Sequence, residues 1–315
     1  MLDLGLRRLT LSPRRRVLGI AALALALLGG ADGAEPTLRI VATLPDLFVL
    51  THALAGDVAT VDVIARFGQN PHDMEVRPSH MALVRRADAL VRNGLEEDAW
   101  IDVIVEGSAN PKVLRGSPNV IDASTGIEVL KVASGRVDRS MGDVHPLGSP
   151  HYTLDPANVA IVTTNIALGL ARVAPGHAAA FEAGRLQFLA RLAEADRRWK
   201  AVLAPFRGEK IVSYHDSWPY FYRAFGLVEG GIIEDRPGIP PSPRHLALLI
   251  HRMKEERVRV ILRETWYPPA AASLVAEKTG AKVLAMPQTP GAVPGTEDYI
   301  AHLDYLVTTL AAALR

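Results

Sequence analysis

From Leu38 onward, short apolar runs alternate with stretches whose apolar residues recur every three to four positions. The runs Leu38 to Thr43, Ala59 to Arg66, Ala89 to Asn93 and Asn119 to Ala123 read as buried strands bounded by turn residues. Pro45 to Ala55, Pro78 to Ala87 and Glu96 to Gly107 read as the helices between them. The first two open on proline, whose fixed φ and missing N–H suit the first helical position. The rhythm returns with strands at Lys210 to Tyr214, Leu227 to Ile233, Val258 to Arg263 and Lys282 to Met286. Their helices are Trp218 to Phe225, Pro243 to about Arg257 behind the cap Ser242, Ala270 to Lys278, and Glu297 to Arg315. Such alternation predicts an α/β fold of parallel sheets flanked by helices.

Between the two sets, Asp155-Pro156 marks a helix start, with an N-cap residue followed by proline, and the pattern runs to about Val173. Pro175-Gly176 breaks it, and Ala178 to Leu203 follows with apolar residues at Phe181, Leu186, Leu189, Leu192 and Trp199. At about 1.5 Å per residue this helix spans nearly 40 Å. It reads as a linking strut between two lobes, or as a long core helix. The expected organisation is a leader over 1–34, a first lobe over 35–174, a linking helix over 175–204 and a second lobe over 205–315.

The leader changes the compartment. Arg7, Arg8, Arg14, Arg15 and Arg16 precede the apolar run Val17 to Leu28, and Gly29 to Ala34 are mostly small. A basic start, a short apolar core and small residues make a cleavable secretory signal peptide, with a faint twin-arginine character. The 35 Lys and Arg nearly balance the 34 Asp and Glu, so no broad attraction to nucleic acid or an anionic membrane is expected. Cysteine is absent, which excludes disulfides, thiolate metal sites and a lipid anchor on cysteine. The mature protein is expected to be exported, periplasmic and monomeric.

Of the 10 histidines, three sit in loops where an open α/β sheet binds its ligands, beyond the carboxyl ends of strands. His72 follows the strand ending near Arg66, His151 lies in a connector rich in proline, and His215 follows the strand ending at Tyr214. Proline precedes both His72 and His151 and stiffens each loop. Together they point to a metal ion. His145, in the same connector as His151, reads as a fourth ligand, a metal-sampling residue at the mouth, or a plain loop histidine. His52, His177, His245, His251 and His302 fall in helical patterns and read as surface or boundary residues.

Three strings carry a resemblance: Asn70 to Ser79, Pro150 to Pro156, and Tyr214 to Phe221. They resemble the histidine motifs of the zinc and manganese solute-binding proteins of ABC transporters, the ZnuA-like or cluster A-I family, and the likeness spans the mature chain. It implies a two-lobed periplasmic receptor that holds metal between its lobes and delivers it to a membrane permease. His72 and His151 would come from the first lobe and His215 from the second. Manganese binders of the family carry a carboxylate at the third ligand position; His215 stands there, and neutral imidazoles suit zinc.

Two departures from the family stand out. The segment Val129 to Pro150 is short where zinc members often carry a long loop rich in histidine and acidic residues. The region Pro287 to Gly291 lacks the aspartate that often serves as fourth ligand. The fourth position therefore falls to water, Glu264 or His145, with Glu264 alternatively orienting a ligating histidine. A zinc hydrolase would also use three histidines and a water, but no His-Glu-x-x-His helix is present.

Overall fold

The computed structural model describes residues 38–133 and 145–315. The expected signal peptide and the centre of the Val129 to Pro150 connector lie outside the described residues. The first sheet contains β1 (Leu38–Ala42), β2 (Ala59–Val63), β3 (Ala89–Arg92) and β4 (Val120–Asp122), all parallel, in the order β2-β1-β3-β4. The second contains β5 (Lys210–Ser213), β6 (Val228–Ile232), β7 (Val260–Glu264) and β8 (Lys282–Met286), also parallel, in the order β6-β5-β7-β8. Each sheet therefore reverses its winding beside its first strand. That reversal opens a crevice beyond the carboxyl ends, where loops from neighbouring strands diverge.

In the first lobe α1 (Pro45–Ala55) follows β1, α2 (Pro78–Val84) precedes β3, and α3 (Ile101–Ser108) precedes β4. The connector then leads into α4 (Pro156–Val173) and α5 (Ala178–Leu203). In the second lobe α6 (Pro219–Phe225), α7 (Pro243–Glu255), α8 (Ala270–Thr279) and α9 (Tyr299–Leu314) complete the alternation. The two α/β lobes agree with the strand–helix pattern.

The long helix α5 is both strut and core element. Its buried residues Phe181, Phe188, Leu192, Ala195, Trp199 and Leu203 form one face, which packs against α1, α4 and α9. One apolar cluster runs from Leu38 through that face to Leu314, so the helix joins the two lobes through continuous packing. Leu186 does not belong to that face as expected: it is 55 % exposed, and Phe188 takes the inward position. Gly184 faces α1 so closely that a Cβ there would lie 2.5 Å from the Leu54 carbonyl oxygen. The absence of a side chain sets how near the strut approaches the first lobe.

The largest revision concerns α3. Glu96 to Ala99 were expected to be helical, but the helix begins at Ile101 because Gly94, Leu95 and Glu96 all take positive φ, at 74°, 51° and 66°. Left-handed backbone at two successive residues with side chains costs about 1–2 kcal/mol each. Asp98 holds the bend. It is fully buried and accepts hydrogen bonds from Thr43 Oγ1 at 2.7 Å, Asn93 N at 2.6 Å and Gly94 N at 3.2 Å. Arg92 pairs with it at 3.4 Å. The chain is thereby turned so that Glu97 enters the crevice. Among the described residues, no helix is long and apolar enough to cross a membrane.

Candidate metal centre

Each crevice loop is fixed by local chemistry before any cation is considered. Asn70 Oδ1 accepts from His72 N at 3.2 Å and starts the short 3-10 turn Pro71–Asp73. Trp100 Nε1 donates to the Pro71 carbonyl at 3.2 Å and ties that turn to the loop before α3. Behind His151, Asn93 Nδ2 donates to the Pro150 carbonyl at 3.2 Å, and Tyr152 Oη donates to the Asn93 carbonyl at 2.8 Å. Asp155 then caps α4, accepting from Ala157 N at 2.9 Å. Its second oxygen takes Arg223 of α6 at 2.9 Å, so the cap also joins the lobes.

The sequence-selected histidines converge. The His72 ring centre lies 5.1 Å from that of His145, 6.1 Å from that of His151 and 5.5 Å from that of His215. The His151 and His215 centres are 5.9 Å apart. A carboxylate that the sequence reading passed over stands among them: Glu97, only 4 % exposed. Its Oε2 lies 3.4 Å from His145 Nε2 and 3.8 Å from His72 Nε2, and its Oε1 lies 3.8 Å from His151 Nδ1. One donor atom from each of His72, Glu97, His145 and His151 falls within 4.8 Å of all the others.

The chemistry of this donor set suits a divalent cation. Nε2 of His72, of His145 and of His151 is buried without a hydrogen-bond partner, a costly condition that a metal ion relieves. Burial, with the neighbouring His72 and His215, pushes the His145 imidazole down to about 3. Burial first, and then the surrounding imidazoles, hold His151 well below the usual histidine range. Both rings are neutral at neutral pH, as ligation requires. A cavity of about 90 Å³, bordered by His145, His151, His215 and Lys131, adjoins the cluster.

His215 is oriented from its own lobe. Glu234, beyond β6, lies 2.8 Å from His215 Nδ1, so it fixes the ring and its tautomer with Nδ1–H donating. The sequence offers Glu264 for that orienting role, but Glu234 is the carboxylate at His215 Nδ1. At the end of β7, Glu264 accepts from Trp218 Nε1 at 2.9 Å and is fully buried, and burial pushes its carboxyl up to about 7. It is not a member of the close donor group, whereas His145 is.

Gln288 lies in the loop after β8, where the family resemblance implied an aspartate, and its side-chain amide stands 2.7 Å from His151 Nδ1. A half-turn of that amide exchanges a donor for an acceptor. With its oxygen at Nδ1, Gln288 holds the proton there and leaves the Nε2 lone pair available. We expect Gln288→Ala to weaken metal affinity by about ten-fold while leaving stoichiometry at one, measured by chelator competition; an unchanged affinity would show that His151 needs no such support.

The Gln288 loop is itself held by His302, whose Nε2 donates to the Pro287 carbonyl at 2.8 Å. The helical pattern suggested a surface or boundary residue, but His302 is 1 % exposed on the inner face of α9. Burial pushes it down to about 4, partly opposed by the Pro287 hydrogen bond. As pH falls from 6.5 towards 4, the unfolded chain gains a proton that folded His302 refuses, and stability is lost. Over that window the loss approaches about 3 kcal/mol. His302→Gln keeps a donor without the titration, so its stability relative to wild type should rise as pH falls from 7 to 4 in urea unfolding; parallel pH profiles would refute this.

Sequence and structure comparisons identify the family. Residues 40–313 match the family model described as zinc-uptake complex component A, periplasmic, and the chain belongs to that family of periplasmic metal-binding proteins. It is 23 % identical over 288 residues to the high-affinity zinc uptake system protein ZnuA of Bacillus subtilis (strain 168), covering 90 % of this chain and 89 % of that one. It is 24 % identical over 300 residues to the iron-binding protein YfeA of Yersinia pestis, covering 93 % and 91 %. A crystal structure of ZnuA superposes with a TM-score of 0.75 at 26 % identity, covering 88 % of this chain and 99 % of that one. These relatives are named for metal uptake or binding, and they differ in the metal named.

Proposed function

We propose that this protein is an exported zinc receptor that captures the ion in the crevice between its lobes and presents it to an ABC permease. The observation carrying this reading is the convergence of His72, His145 and His151 on buried Glu97, with the His215 ring beside those of His72 and His151. Four imidazoles and one carboxylate form a set rich in nitrogen, which suits zinc better than the oxygen-rich set that manganese prefers. Zinc is cargo here, so its binding would be strong and reversible without turnover.

The two lobes fit that role. The strut α5 packs into an apolar cluster shared by both lobes, and Arg223 of the second lobe pairs with Asp155 at the start of α4. Tyr220 Oη adds a bridge, 3.0 Å from both Leu130 N and the Ser149 carbonyl. The cleft-lining histidine loops would close on the ion, and the leader at the amino terminus supports export to the periplasm. Calorimetric titration of metal-free protein should give one zinc per chain. Absence of saturable zinc binding would overturn the proposal, and steady zinc-dependent hydrolysis of ester or phosphate substrates would favour a hydrolase instead.

YfeA, named an iron-binding protein, marks the second reading. Glu97 brings an oxygen donor that iron or manganese would also accept. Preference for either ion over zinc in competition would establish that alternative.

A further inference from the structure

The segment between β2 and α2 borders a second cavity, of about 260 Å³, whose lining includes none of the histidines of the metal centre. Arg66, Gln69, Arg77 and His80 line it with hydrogen-bond donors, and Phe67 and Met74 add apolar surface. Packing sets these walls before any ligand arrives. The Phe67 ring meets that of Phe48 edge-on at 5.7 Å, and it stands so near Gly291 that a Cβ there would lie 2.6 Å from its Cδ1. Gln69 Oε1 accepts from Arg66 N at 3.3 Å, and Gln69 Nε2 donates to the Asp73 carbonyl at 3.4 Å.

The chemistry of the lining favours an anion. Arg66 has no carboxylate partner among the described residues. Arg77 pairs with Glu75 at 2.8 Å, but the two side chains are 45 % and 74 % exposed, so an incoming carboxylate can take the place of Glu75 at little cost. Two guanidinium groups against one carboxylate leave the cavity with an excess of positive charge. His80 Nδ1 accepts from Arg77 N at 3.3 Å, which leaves the ring proton on Nε2 as a further donor. A guanidinium fork matches a carboxylate with paired N–H groups. The volume falls just below the roughly 300–1,000 Å³ of sites for drug-sized ligands, so the ligand is small. A bare inorganic anion gains nothing from Phe67 and Met74, whereas a short carbon chain with a carboxylate at each end uses both the arginines and the apolar walls.

We propose that this cavity is a binding site for a small organic dicarboxylate, whose carboxylates are held by Arg66 and Arg77 and whose carbon chain lies against Phe67 and Met74. The site uses no metal ligand and stands apart from the zinc-receptor reading. Gln69 and Met74 flank the Pro71–Asp73 turn that carries His72, so the bound acid would brace that turn from both sides.

The test is calorimetric titration of the metal-free protein with succinate, in buffer free of other carboxylates. Wild type should bind one succinate per chain saturably. Arg66→Gln and Arg77→Gln should each weaken binding by about ten-fold, through loss of a charge-assisted contact, and Glu75→Gln should strengthen it by removing the competing carboxylate. Arg86→Gln removes the same charge from exposed surface outside the cavity and should bind as wild type does. Absence of saturable succinate binding overturns the site. Equal weakening in Arg86→Gln also overturns it, because the attraction would then be diffuse, and tighter binding of inorganic phosphate than of succinate overturns the dicarboxylate assignment. All four substituted side chains are exposed, and circular dichroism checks folding, with Arg66→Lys and Arg77→Lys replacing any glutamine variant that does not fold. Failure of wild type to bind zinc would overturn the receptor reading and leave this site standing.

Discussion

Saturating zinc should raise the unfolding midpoint of the wild-type protein by roughly ten degrees, and His151→Ala should remove most of that rise. A ligand that binds only the folded state adds about 4 kcal/mol at a thousand times its dissociation constant. For a chain of this size each kcal/mol moves the midpoint by about 2–4 °C. His151 is central because it is buried, its Nε2 lacks a hydrogen-bond partner, and its ring faces both Glu97 and the His72 and His215 rings. Alanine removes a donor that no neighbouring side chain replaces in position. Melting curves with and without zinc separate this effect from any change in the metal-free protein. An undiminished zinc shift in His151→Ala would exclude that residue from the site.

A second large effect is expected far from any metal contact. Asp98→Ala should destabilise the metal-free protein by about 3 kcal/mol, because it strands the Thr43 hydroxyl and the Gly94 amide, leaves Asn93 N only its longer contact to Thr43 Oγ1, and leaves Arg92 without this buried partner. Burial raises the Asp98 carboxyl above its ordinary range, while Arg92 and the hydrogen bonds from Thr43, Asn93 and Gly94 pull the other way. The positive-φ segment from Gly94 to Glu96 would lose its anchor, and Glu97 would no longer be held against the histidines. Zinc affinity should therefore fall with stability. Denaturant unfolding and chelator competition on the same sample check both; full affinity in a destabilised variant would break the link between the bend and the site.

The parts of the fold legible in the sequence were those dictated locally. Pro45 at a helix start and Gly56 beyond its end delimit α1 as expected, and the breaker Pro175-Gly176 precedes a strut whose limits, Ala178–Leu203, agree with the pattern. Strand β8 likewise coincides with its apolar run. What escaped was set by distant contacts. Acidic residues at Glu96 and Glu97 suit a first helical turn, so the run looked helical, yet buried Asp98 bends it through hydrogen bonds to Thr43 and Asn93. Gly94 directly after a strand was the available signal: its φ is positive, and a Cβ there would lie 2.5 Å from Asp122 Oδ1.

The site shows the same division. His72, His151 and His215 could be selected because each follows a strand or a proline-stiffened loop, and His145 could be kept as a candidate by its nearness in sequence to His151. Glu234 and Gln288, which meet His215 and His151, carry no local signature that distinguishes them from surface polar residues. Their roles arise only when the second lobe brings the ends of β6 and β8 to the crevice.

The most direct test is a competition titration of metal-free protein with equimolar zinc, manganese and iron(II), with bound metal analysed after gel filtration. The proposed account predicts one zinc per chain, little manganese or iron, and loss of that zinc in a Glu97→Gln, His145→Ala double variant. Retention of manganese or iron in preference to zinc would contradict it.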